Sequence, residues 1–316
     1  MYYIGVDLGG TNIAVGITDE TGKLLHKASI PTGADRGPDE VVKDMAGLVK
    51  KVVADFGTSF DEVGYIGIGT PGTADRDNGV VIFANNLNFY DYPLAAKLKE
   101  FSGFTKDVLI ENDANAAANG EAASGAAKGY ANSVMITLGT GLGGGIIIDN
   151  KVYSGFNYGA GELGHIVIEL DGLPCSCGRK GCWEAYSSAT GLINMTKKKM
   201  AETKDTIMHE MAAEAGKVSG RTAFDAMRKG DKAGKEVVDR YIYCLAQGIA
   251  NVINIFQPEV LVIGGGICNE KEYLTEPLKK IIEGESYGGN NPKKTQIKIA
   301  ELGNDAGIIG AAMLGL

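Results

Sequence analysis

Four side chains within HIVIELDGLPCSCGRKGC carry recognisable chemistry: His165, Cys175, Cys177 and Cys182. Three thiols fall within eight residues, and the histidine lies ten residues before the first of them. A Cys3His set is enough for a closed tetrahedral Zn2+ site. Gly172, Gly178 and Gly181 supply the turns that so short a loop needs to wrap a metal. Four protein ligands leave no position for water, so the expected metal is structural. The alternative is three free thiols that happen to be neighbours. Glu162 and Glu184 flank the cluster. Carboxylates accept hydrogen bonds from paired hydroxyls, so the two suit a neutral polyol; on an ordinary surface they would only be solvated.

A second kind of chemistry lies in glycine-rich runs. Glycine makes up 46 of 316 residues and gathers after apolar, β-branched stretches. In DLGGTN, Gly9 and Gly10 let the backbone close on a phosphate, Thr11 and Asn12 add donors, and Asp7 suits a water-mediated Mg2+ contact. A hairpin turn shaped only by Asp and Gly is the alternative. LGTGLGGG repeats the feature, with Thr140 as a donor beside Gly141. VIGGG brings Gly265 and Gly266 to a strand end, where a flat ring can lie on bare backbone or a helix can pack closely. In IENDANAAANGE, Asp113 stands where a strand meets an Ala-rich helix. There it can accept a proton from an attacking hydroxyl, with Asn112 orienting the same substrate. Asn and Asp are also favoured helix caps, and the two roles can fall to neighbouring residues.

These residues need strands and turns to hold them. YYIGVDLGGTNIAVGITDETGKLLHKASIP reads as strand, glycine turn, strand, turn and a third strand near Leu24 to Ile30. Residues 38–57 have apolar spacings of three and four, Pro38 at the start and Gly57 at the end, which predicts an amphipathic helix. A buried strand ends at VGYIGIGTPG, and a short one runs from Val108 to Glu111. ANSVMITLGTGLGGGIIIDNKVYSG then repeats the strand–turn–strand unit, with Gly139 lying 132 residues after Asp7. Two copies imply a duplicated domain, not a solenoid. Two such lobes facing each other would make a cleft with a glycine turn from each, fit for a polyphosphate. A helical stretch, KEVVDRYIYCLAQGIANVINIFQP, a buried strand, EVLVIGGGI, and an apolar terminal helix complete the chain.

Composition narrows the class. The length suggests about two domains. A net charge of −8 disfavours nucleic acid or an anionic membrane as partner. No apolar run approaches the ~18 residues of a membrane span. MYYIGVDLGG lacks the basic segment of a secretory signal. Five cysteines, three of them crowded, suit a reducing compartment with a metal site, so a cytoplasmic protein is expected.

Together DLGGT, END, GTGLGGG, GAGELGHI and CSCGRKGCWEAYSS resemble the ROK family, from Tyr3 to the C-terminal helix. The resemblance implies an α/β fold of duplicated actin-like ATPase (ribonuclease H-like) domains, in the hexokinase/actin/Hsp70-like superfamily. It implies a smaller domain of residues 1–113 plus 303–316, and a larger one, 114–302, carrying the zinc loop 165–182. It implies ATP-dependent phosphorylation of glucose to glucose 6-phosphate with Mg2+. Another hexose (N-acetylmannosamine, N-acetylglucosamine, fructose or mannose) is the alternative substrate, and a non-catalytic sugar sensor the alternative class. Asp113 would be the general base for the 6-hydroxyl. Asn86, Asn112, Asp113, Glu162, His165 and Glu184 would hold the sugar, His165 serving zinc as well. Asp7, Gly9, Gly10, Thr11, Asn12, Thr140 and Gly141 would serve ATP phosphates and Mg2+, and Gly265 and Gly266 the adenosine. The chain opens on its first strand, leaving no room for the winged helix of the family's repressors, so an active kinase is expected. A homodimer or homotetramer is expected too.

Overall fold

The computed structural model of this chain describes residues 1–288 and 291–316. It forms two compact units: Met1–Met135 with Gly145–Gly161 and Ala300–Leu316, and Ile136–Gly144 with Glu162–Ile299.

The first unit begins with the predicted meander: β1 (Tyr2–Leu8), β2 (Asn12–Thr18) and β3 (Leu24–Pro31), paired antiparallel in sequence. Alternation sets the faces, and Ile4, Val6, Leu8, Ile13, Val15 and Ile17 are fully buried. Helix α1 (Pro38–Phe56) starts on its proline and stops at Gly57, whose φ of 80° opens the left-handed cap and whose N–H donates to the Ala54 carbonyl. Its three-and-four apolar positions, Val41, Met45, Leu48, Val49 and Val52, lie in the core. Strand β4 (Val63–Thr70) follows. Then comes a small antiparallel sheet that the sequence reading did not contain: β5 (Thr73–Asp75), β6 (Val80–Ala84) and β7 (Phe89–Tyr92). Ile82 and Phe83 are consecutive and both exposed, so β6 lacks the alternation that marks a strand. Helix α2 (Leu94–Ser102), strand β8 (Val108–Asn112) and helix α3 (Asp113–Ser124) complete the run. The sheet order is β3-β2-β1-β4-β8, with β1, β4 and β8 parallel.

The repeat seen in the sequence is a repeat of topology. Strands β9 (Ser133–Leu138), β10 (Leu142–Ile148) and β11 (Lys151–Val152) re-form the meander, and β9 and β10 contribute residues to both units. Past the cysteine loop come helices α4 (Trp183–Ser187), α5 (Ala189–Glu202), α6 (Met208–Glu214), α7 (Thr222–Arg228) and α8 (Lys232–Phe256). Asp231 caps α8 by accepting from the Gly234 N–H at 2.6 Å. Then β12 (Val260–Gly264), α9 (Glu272–Glu285) and β13 (Gln296–Ile299) give the order β11-β10-β9-β12-β13. The two orders correspond strand for strand, the doubled α/β arrangement of the actin-like ATPase class. Among the described residues no helix is long and apolar enough to cross a membrane.

Helix α10 (Ala306–Ala312) returns to the first unit and packs on β1, β4 and α3. It comes so close that a Cβ at Gly67 would lie 1.8 Å from the Ala311 carbonyl oxygen, and one at Gly310 1.6 Å from that of Ala116. Gly310→Ala should therefore cost at least about 1–3 kcal/mol through forced separation of α10 from α3. Gly284→Ala, in α9 with nothing within 4 Å of the new methyl, should gain about 0.5–1 kcal/mol. Urea unfolding of both variants checks the contrast.

Candidate active site and metal clasp

Parallel pairing brings the carboxylates of the first unit together. Asp7 on β1 is aligned with Gly69 on β4, and Gly69 with Glu111 on β8. A Cβ at Gly69 would sit 3.0 Å from the Ala116 Cβ, so the bare strand end lets α3, which carries Asp113, pack closely. Asn112, not Asp113, is the cap of α3. Its Oδ1 accepts from the N–H groups of Ala114 and Asn115, and its Nδ2 donates to the Gly72 carbonyl at 3.0 Å. Asp113 is thereby the first residue of the helix, with Oδ1 accepting from the Ala114 N–H at 2.8 Å. The cap and the candidate base are thus neighbouring residues, Asn112 in the cap position and Asp113 in the first turn. Burial, with the Asp113 charge adding to it, pushes the Asp7 carboxyl from its ordinary 3.8 up to about 6.

The turn after β1 is closed by its own backbone, Gly9 N–H donating to the Asn12 carbonyl at 2.9 Å. Buried Thr32 holds it from behind: its hydroxyl donates to the Gly9 carbonyl at 2.6 Å and its N–H to that of Thr11 at 2.8 Å. Gly10, Thr11 and Asn12 are left exposed. Exposed Asn86 lies beside them in the Asn85–Leu87 turn, its Cβ 3.3 Å from where a Gly10 Cβ would be.

Glu111 has no place in the sequence reading, although it stands inside the END motif. It is 1% exposed and accepts from Ser154 Oγ at 2.8 Å, Asn112 N at 2.9 Å, Asn115 Nδ2 at 3.1 Å and Arg76 Nη1 at 3.3 Å. A buried carboxylate with four donors fixes the strand–helix junction that presents Asp113. Two of those donors lie 35 and 43 residues away in sequence, so local spacing holds no trace of them.

In the second unit the cysteine loop folds as the spacing predicts. The ligand atoms of His165, Cys175, Cys177 and Cys182 all lie within 4.8 Å of one another. Cys177 and Cys182 Sγ are 3.6 Å apart, as are Cys175 Sγ and His165 Nδ1. That is far beyond a disulfide and close to the ~3.8 Å edge of a tetrahedron with ~2.3 Å Zn–S bonds. Burial pushes the Cys182 thiol up to about 12. A cation is what turns such crowded thiols into thiolates, and the donor set fits Zn2+. His165 has two faces: Nδ1 meets Cys175, while Nε2 lies 3.9 Å from Glu162. A metal on Nδ1 fixes the tautomer with its proton on Nε2. The strand-like contacts Val167 to Cys182 and Pro174 to Lys180 close the loop. Trp183, fully buried, anchors it by donating from Nε1 to the Cys244 carbonyl of α8.

Glu184 follows two residues after Cys182, half-buried, its Oε2 accepting from the Leu142 N–H at 2.8 Å. Leu142 ends the second glycine turn, in which Gly139 N–H donates to the Gly141 carbonyl and Thr140 is exposed. Gly265, with a φ of 99°, lies against the same turn, where a Cβ would be 2.3 Å from the Leu138 carbonyl oxygen. Gly266 is exposed beside it. The structure thus gathers the predicted residues into two sets, one in each unit: Asp7, Gly9, Gly10, Thr11, Asn12, Asn86, Asn112 and Asp113 in the first, and Thr140, Gly141, Glu162, His165, Glu184, Gly265 and Gly266 in the second.

Doubled sheets of this order, with a glycine turn in each, an acid at a strand–helix junction and a Cys3His clasp, define a sugar-kinase-like member of the actin-like ATPase class. The ROK family pattern matches residues 3–316, and the chain belongs to the ROK family. It is 37% identical over 315 residues to the glucokinase of Thermotoga maritima, covering 98% of this chain and 96% of that one. It is 33% identical over 326 residues to the N-acetyl-D-glucosamine kinase of Vibrio cholerae, covering 100% of both. A ROK family glucokinase from Streptomyces griseus, solved in complex with glucose and AMPPNP, superimposes with a TM-score of 0.81 at 34% identity over 99% of each chain.

The raised Asp7 gives a pH signature in the absence of divalent cations. Between 3.8 and about 6 the folded chain binds more protons than the unfolded one, so the Asp7 contribution to stability falls as pH rises through that window and is flat above it. Asp7→Asn should therefore gain stability relative to wild type by up to about 3 kcal/mol between pH 4 and pH 8. Urea midpoints at the two pH values, in chelator, check this.

Proposed function

We propose that this chain is a glucokinase, transferring the γ-phosphoryl group of ATP to the 6-hydroxyl of glucose. The observation that carries this is Asp113 standing as the first residue of α3, directly after its Asn112 cap and close enough to Asp7 to raise that carboxyl. The near full-length likeness to glucokinases supports it. Asp113 takes the hydroxyl proton as the oxygen attacks the γ-phosphorus, the bond to the bridging oxygen breaks, and ADP leaves. Asn86, Asn112, Glu162, His165 and Glu184 hold the other hydroxyls. Gly9, Gly10, Thr11, Asn12, Thr140 and Gly141 receive the phosphates, and Gly265 and Gly266 the adenosine. Asp7 would hold Mg2+, which would neutralise charge on the phosphates and favour the ionised form of a carboxyl that burial opposes. His165, Cys175, Cys177 and Cys182 would hold Zn2+, which would keep the loop in shape and leave His165 Nε2 facing Glu162.

ADP release with Mg-ATP, measured across glucose, mannose, fructose, N-acetylglucosamine and N-acetylmannosamine, should be strongest with glucose. A preference for an N-acetyl sugar would replace the substrate and keep the chemistry, a substitution to which the likeness to N-acetylglucosamine kinases gives weight. Asp113→Asn should lower kcat by roughly a hundredfold or more with glucose affinity little changed. Near-full turnover in that variant would remove Asp113 as the base.

The metal has its own test. Purified protein should carry one equivalent of zinc per chain by elemental analysis. Cys177→Ser should lose it and unfold at lower temperature, and a wild-type chain equally stable in strong chelator would speak against a structural metal.

A further inference from the structure

Glu184 is assigned above to the sugar, yet in the structure its carboxylate grips another element. Oε2 accepts from the Leu142 N–H at 2.8 Å, and Leu142 closes the Gly139–Leu142 turn. Gly141 admits that contact, since a Cβ there would lie 2.4 Å from the same oxygen. A second tie comes from the residues just after Glu184: the Ala189 N–H donates to the Gly139 carbonyl at 2.9 Å. The other oxygen, Oε1, faces the cysteine loop, 3.5 Å from Ser176 Oγ and 3.8 Å from Cys175 Sγ. One side chain therefore spans the cysteine loop and the glycine turn.

We propose that Glu184 is a positioning residue for nucleotide binding: by holding the Leu142 N–H it sets the shape in which the Gly139–Leu142 turn meets a nucleoside triphosphate, whether or not sugar is present. The inference rests on the kinase reading of that turn. A charge-assisted hydrogen bond to a backbone N–H is among the stronger kinds, and it aligns the turn before the ligand arrives. Because the same carboxylate is offered to the sugar, a sugar that draws on it changes the affinity for nucleotide. Linkage then requires nucleotide to change the affinity for sugar by the same factor.

The test is calorimetric titration of Mg-AMPPNP into sugar-free protein, with wild type, Glu184→Ala and Glu184→Gln. Glu184→Ala should weaken the nucleotide roughly tenfold. Glu184→Gln should keep most of the affinity, because its amide oxygen can accept the same N–H. Tight binding by wild type and an unchanged affinity in Glu184→Ala would overturn the inference and leave the kinase reading standing. Equal losses in the Ala and Gln variants would overturn it as well. Failure of wild type itself to bind the nucleotide would remove the kinase reading together with it.

Discussion

The first unit is organised around a buried carboxylate, Asp7, with a second acid, Asp113, close enough to add to the cost of ionising it. Asp7 and Asp113 stand at the ends of strands separated by a single strand, β4, and the charge of one makes the other harder to ionise. A fold left to minimise its own energy would not place two acids there. Every neighbouring feature keeps them in place. The parallel register aligns β1, β4 and β8, Gly69 admits Ala116 of α3, Asn112 caps that helix, and Glu111 locks the junction with four donors. On the kinase reading such a pair has a use: a divalent cation would relieve the repulsion, and a carboxylate beside it could accept a hydroxyl proton.

That arrangement needs a rigid backing, and α10 provides it. The helix joins the unit from the far end of the chain and seats against glycines in β1, β4 and α3 that have no room for a side chain. Glu121, fully buried in α3, accepts from the N–H groups of Glu301 and Leu302, tying the helix that carries Asp113 to the segment leading into α10. A buried carboxylate without such donors would be costly, so Glu121 ties α3 to the segment before α10.

What the sequence made legible is what short-range spacing encodes. The meander, its repeat and the helix over 38–56 follow from alternation, glycine turns and three-and-four spacing. The cysteine clasp follows from ligands packed into a few residues. At Asn112 and Asp113 the sequence offered two capping residues and two roles; backbone geometry was needed to divide them, since the cap is defined by which residue's side chain reaches the first free N–H groups. Glu111, Thr32 and the grip of Glu184 on Leu142 were out of reach for a different reason: their partners lie 43, 23 and 42 residues away. The small sheet β5–β7 was hidden because its exposed apolar residues break the two-residue period.

The Cys3His cluster sits on a loop of the second unit that packing does not shape. From Glu169 to Lys180 nearly every residue is exposed, Leu170 at 88%, so the loop has no core of its own. Its ends are fixed by Trp183 and by the Leu173 N–H donating to the Tyr186 hydroxyl, but the middle has only backbone turns such as Cys175 N–H to the Arg179 carbonyl. So small a segment buries too little apolar surface to offset its conformational entropy, and four metal bonds would supply what burial does not. His165 lies three residues after Glu162 and Cys182 two before Glu184, so an ion on the cluster would fix the backbone beside both glutamates.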